Sequence, residues 1–151
     1  MAIGLAALGL LAFLLGCSGT FAEPQNSESR VKCSLTGIWE SDIGIRMKIY
    51  NVSDIGEFSG FFYIIRRPNT RIFIPFPLQG IQHQGRQPTF GFTVSGELEG
   101  PTAAVFVGQC LVDENGKEQL RTTWVFRKHV ESAAKDWGAT RVERSTFYRI
   151  K

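Results

Sequence analysis

Histidine is scarce in this chain of 151 residues: there are two, His83 and His129. Neither stands near a Ser or Cys nucleophile motif, and no His, Cys or carboxylate spacing fits a metal site. Both read as surface residues, so no enzyme activity, no catalytic residue and no metal centre is expected. A long basic run is also missing. Seventeen Lys+Arg against fourteen Asp+Glu leave a net charge of +3 that is not gathered in one place, which argues against nucleic acid as a partner. No stretch has a convincing helical period, which argues against a helix bundle.

Charge is absent altogether from the first 22 residues. Residues 2–15 form an apolar run, followed by small residues (CSGTFA, 17–22) and then by a polar stretch (EPQNSESR, 23–30). This is the pattern of a secretory signal peptide, residues 1–22, cleaved after Ala22. The run is shorter than the ~20 residues a bilayer-spanning helix requires, so no membrane association is expected. Residues 14–17, LLGC, also fit a lipidation box, but the preceding segment lacks the usual Lys or Arg. Residues 23–32 read as a flexible leader. Removing the signal discards Cys17 and leaves Cys33 and Cys110, an even number in an oxidising compartment; they form a disulfide or remain two buried thiols. Asn51-Val52-Ser53 is a sequon that makes Asn51 a candidate glycosylation site of a secreted, extracellular protein.

What remains is a succession of short alternating segments, near residues 36–42, 45–52, 56–66, 72–80, 88–96, 102–110, 117–128 and 139–150. Ile43, Ile45, Met47 and Ile49 share one face of one segment; Phe58, Gly60, Phe62 and Ile64 share a face of the next. Leu120, Thr122, Trp124 and Phe126 alternate with Arg121, Thr123, Val125 and Arg127. Residues 113–116, DENG, form a hairpin turn between two such runs. Eight short strands with hairpin connections make an all-β fold, an up-and-down barrel or a sandwich. Eight strands in a barrel leave room for one small ligand. Residues 72–78, IFIPFPL, are apolar on both parities; their two prolines argue against an ordinary central strand, and their apolar faces imply a partner surface. In QPTFGFTVSGELEG (residues 87–100), Phe90, Phe92 and Val94 face one way. The next inward position is Gly96, with no side chain.

Several stretches together resemble the avidin family, of vertebrate type: CSLTGIWESDIG (33–44), GEFSG (56–60), PLQG (77–80), QPTFGFTV (87–94), GQC (108–110), NGKE (115–118) and DWGATRV (136–142). Their order and spacing match from Cys33 to about Phe147. Gly37-Ile38-Trp39 with a late Arg also fits lipocalins, but the avidin match is longer. The resemblance implies an eight-stranded antiparallel up-and-down β-barrel over residues 33–150 and a Cys33–Cys110 disulfide. It implies biotin as ligand at one open end, with no cofactor, and assembly as a homotetramer. Asp42 and Arg141 match a charged pair at the barrel end, whose role is mutual neutralisation.

Carried over residue by residue, the resemblance places the ligand among Trp124, Trp137, Phe106 and Phe126, with Ile43 on the same face as Ile45. The tryptophan expected on the 88–96 strand is Gly96, which leaves one wall missing. Of three donors to the ureido oxygen, Ser41 retains a hydroxyl while Ile45 and Phe62 have none. Of two acceptors for the ureido N–H groups, Ser145 remains and Ile64 cannot serve. A hydroxyl facing the ring sulfur matches Ala104. In the loop that would close on the carboxylate tail (residues 66–71), Pro68 stands where a backbone N–H is used, and Glu99 would repel an anion. The expectation is a secreted biotin-binding protein of much reduced affinity. The alternatives are an interaction protein whose barrel is filled by Ile45, Phe62 and Ile64, and a barrel for another small apolar ligand.

Overall fold

The computed structural model describes residues 32–64, 75–97 and 100–151. The expected signal peptide, the expected leader up to residue 31, Pro68 with its loop, and Glu99 lie outside the described residues. Eight strands follow one another in chain order: β1 (Gly37–Ser41), β2 (Ile45–Ile49), β3 (Glu57–Ile64), β4 (Pro75–Gln82), β5 (Thr89–Glu97), β6 (Pro101–Val112), β7 (Glu118–Lys128) and β8 (Thr140–Ile150). Every neighbouring pair is antiparallel, and β8 returns to β1 through Ile38↔Ile150 to Ser41↔Phe147, which closes the barrel. The barrel, not the sandwich, is the architecture. A short 3-10 helix, Ala133–Gly138, precedes β8.

The register follows from alternation. On β7, Leu120 and Thr122 are buried and Arg121 and Thr123 exposed, as a strand with one wet face requires. The hairpin before it is built by Asp113, whose Oδ1 accepts the N–H groups of Asn115 (2.9 Å) and Lys117 (2.8 Å), while Gly116 takes the left-handed φ of 76°. Cys33 and Cys110 form a disulfide, with a Cα separation of 5.7 Å.

One end of the barrel is filled. Trp39, Met47, Ile49, Phe58, Leu78, Phe90, Leu120 and Phe147 are buried there, with Leu35 and the disulfide beneath them. Arg149 seals this end. Its guanidinium lies 4.3 Å from the centre of the Trp39 ring, donates to the carbonyls of Thr36 (2.8 Å) and Ser34 (2.6 Å), and pairs with Glu118. Gly37 makes room for it, because a Cβ there would collide with Arg149 Nη1.

Three expectations are corrected. Ile43 lies in the β1–β2 turn and is 54% exposed, so it does not share the inner face of Ile45, Met47 and Ile49. The described part of the 72–80 segment is a central strand after all, with β4 paired to both β3 and β5. The prolines are tolerated for a geometric reason. Gln82 donates its N–H to the Gly56 carbonyl (2.9 Å), and alternation along β4 from there puts Pro77 and Pro75, opposite Phe61 and Tyr63, at non-hydrogen-bonded positions toward β3. Their missing N–H would point toward β5, but the β4–β5 ladder ends at Leu78↔Val94. Third, Asp42 and Arg141 make no ion pair; Asp42 instead donates its backbone N–H to the carbonyl of Thr146 at 3.2 Å.

Candidate functional site

At the end opposite Arg149 the barrel is open and holds a cavity of about 240 Å³. Its position follows from the register. Ile45↔Ile64, Phe62↔Phe76, Gly96↔Thr102 and Phe126↔Arg141 are all ladder pairs near this end. The inward side chains of these pairs ring the space, and the volume is just below the range usual for small-molecule sites.

The floor is aromatic. Phe106 is buried; it stacks on Phe92 at 4.6 Å between ring centres, leans on Phe62 at 5.3 Å and on Trp124 at 5.9 Å. Such offset and tilted contacts suit the ring quadrupoles and fix the side chains that a ligand would meet. Among the described residues, the one buried side-chain polar atom without a hydrogen-bond partner is Nε1 of Trp124.

Of the residues singled out in the sequence as ligand contacts, Ile45, Phe62, Ile64, Phe106, Trp124 and Phe126 line the cavity. Ala104 and Gly96 line it too. Ser41 and Ser145 do not. Ser41 is buried and its Oγ accepts the Ile45 N–H at 2.9 Å, which ties the β1–β2 turn. Ser145 is buried against Thr122, with 3.1 Å between the two hydroxyls; Thr122 also donates to the Ser145 carbonyl at 2.9 Å. Trp137, on the 3-10 helix, is 99% exposed, and Ile43 stands outside in its turn.

Among the lining residues that sequence reasoning missed, four shape the cavity most. Arg141 and Glu143 stand opposite Phe126 and Trp124 and therefore point inward at the rim. Counting back by twos from Ser145 would have found both. Thr102, opposite Gly96, donates from Oγ1 to the Gly96 carbonyl at 3.1 Å. The fourth is Phe76. Its ring lies over Gly96, and a Cβ on that glycine would overlap Cδ1 and Cε1 of the phenyl group. The wall thought missing at Gly96 is thus occupied from the neighbouring strand.

Comparison with known proteins agrees with this architecture. The model of the avidin family matches residues 29–150. Avidin-related protein 1 of Gallus gallus is 48% identical over 119 residues, 78% of this chain and 79% of the relative; Avidin of Gallus gallus is 42% identical over 123 residues, 80% of each. Among solved structures, the crystal structure of Xenavidin superposes with a TM-score of 0.71 at 38% identity, covering 79% of this chain and 99% of that one. The chain belongs to the avidin family.

Proposed function

We propose that this chain is a secreted, non-enzymatic binding protein that takes biotin non-covalently in the open end of its barrel, with affinity far below the ceiling for such complexes. The observation that carries the reading is the cavity itself. Ile45, Phe62 and Ile64 narrow it without filling it, and about 240 Å³ remains between Phe106, Trp124 and Phe126. This speaks against an interaction protein with a closed barrel. A solved structure at 40% identity and TM-score 0.69, the biotin binding protein from chicken, supports biotin as the ligand.

The reduction in affinity follows from chemistry. Ile45, Phe62, Ile64 and Ala104 withhold about four hydrogen bonds, each worth ~0.5–1.5 kcal/mol, and any ureido group left unpaired in the cavity adds a further ~1–3 kcal/mol. Non-covalent binding saturates near a Kd of roughly 10⁻¹³–10⁻¹⁶ M. With the ureido oxygen and both N–H groups unpaired, these losses come to roughly 5–15 kcal/mol, or about four to eleven powers of ten, and the middle of that span places biotin in the nanomolar to micromolar range. Because Ser41 and Ser145 do not line the cavity, the lining also suits an apolar ligand without a ureido group, which competition against biotin would reveal.

Assembly belongs to the same proposal. Val105, Val125 and Val142 stand in register across the outer face of β6, β7 and β8, all exposed, and Trp137, on the 3-10 helix just before β8, is fully exposed. A homotetramer covers these surfaces and brings Trp137 over a neighbouring pocket. Asn51 is exposed beside β2 and open to glycosylation in a secreted protein. Fluorescence titration tests the binding claim: Trp124 forms the wall, so biotin must change tryptophan emission saturably, and a flat titration to millimolar biotin refutes it.

A further inference from the structure

We infer that Phe76 is a ligand-contacting, specificity-determining residue: it supplies from β4 the aromatic wall that β5 lacks, and Gly96 is glycine in order to admit it. The inference rests on the small-molecule reading of the cavity. Gly96 has no backbone need for glycine, because its φ lies outside the left-handed region and its ladder to β6 runs on through Gly96↔Thr102 and Glu97↔Pro101. The need is spatial. A Cβ on Gly96 would overlap two atoms of the Phe76 ring and stand 3.2 Å from a third, Cγ.

Phe76 lies two residues beyond Leu78 and Gly96 two beyond Val94, where the β4–β5 ladder has just ended. Released from that pairing, β4 can lay a large side chain across the face of β5. The ring is buried, yet both residues line the cavity, so it is wall as well as core. A phenyl wall differs from an indole wall. It offers a smaller face and no N–H donor, so it holds a ligand by dispersion and apolar area alone. The chemical class it favours is a compact ring with an apolar flank, with no acceptor directed at that wall.

Four chains test this: wild type, Phe76→Ala, Gly96→Trp and the double variant. Each is melted without ligand and titrated with biotin and with the apolar dye 1-anilinonaphthalene-8-sulfonate. Gly96→Trp alone is expected to lower the melting temperature by about 5 °C or more through overpacking, and Phe76→Ala in the same chain to remove most of that loss. If Gly96→Trp does not fold, Gly96→Ala reports the same coupling, since the Cβ alone meets the ring. Phe76→Ala is expected to weaken whichever probe the wild type binds by about tenfold or more, and the double variant to recover it. Additive melting shifts, or unchanged affinity in Phe76→Ala, overturn the inference. A wild type that binds the dye but not biotin refutes biotin as the ligand while leaving Phe76 tested by the dye; one that binds neither overturns the contacting role.

Discussion

Removing the disulfide with Cys33→Ala/Cys110→Ala should cost this domain a large part of its stability. The bridge joins residues 77 apart in sequence, from the segment before β1 to the C-terminal end of β6. For a loop of that length the chain-entropy model gives about 4.5 kcal/mol at 25 °C, lost because the unfolded chain gains freedom. Local structure argues that the native state does not depend on the covalent link for its geometry. The Cys33 N–H donates to the carbonyl of Arg86 (2.8 Å) and the Cys110 N–H to that of Pro88 (2.9 Å), and both contacts survive the substitution. Both cysteines are buried, so each lost sulfur also leaves a small void, adding about 0.5 kcal/mol in all, for a total of about 5 kcal/mol. At roughly 3–5 °C per kcal/mol for a domain of this size, the melting temperature should fall by about 15–25 °C. Circular dichroism melts of the variant and wild type measure it, with urea titration reporting a steeper slope for the variant as its unfolded state expands. A difference under about 3 °C would refute the loop-entropy reasoning.

Arg149→Ala removes the ring contact to Trp39 and the donors to Ser34 and Thr36; a loss of about 2–4 kcal/mol is expected in urea unfolding, with Arg149→Lys recovering only part of it. Trp137→Ala touches a side chain with no contacts inside its own chain, so each barrel should melt as before while light scattering shows weaker assembly and titration shows weaker biotin binding. Phe62→Tyr and Ile64→Thr return a hydroxyl to lining positions, and each should tighten biotin about threefold to tenfold, read by calorimetry; no gain from either would mean that the ureido group lies elsewhere.

The strands and part of the ring of lining residues were legible because alternation reports which side chains share a face. Phe90, Phe92 and Val94, and Leu120 and Thr122, are buried as their period predicted. The Asp113 turn was legible because its chemistry is local. What escaped notice depends on contacts across strands. Prolines in a central strand make sense only once the β4–β5 ladder is seen to stop at Leu78. Gly96 looked like a missing wall because no reading of β5 alone can show a phenyl ring arriving from β4. Ile43 was misplaced by extending an alternation through a turn. Ser41 and Ser145 kept the right residue type, while their hydroxyls are engaged by Ile45 and Thr122 rather than facing the cavity.

Whether the cavity takes biotin is decided by isothermal titration of the oxidised protein. Saturable binding of one biotin per chain is expected, with a Kd between about 1 nM and 10 µM. A Kd in the picomolar range or tighter would contradict the loss of polar contacts at Ile45, Phe62 and Ile64, and no heat up to about 1 mM biotin would contradict biotin as the ligand of this cavity.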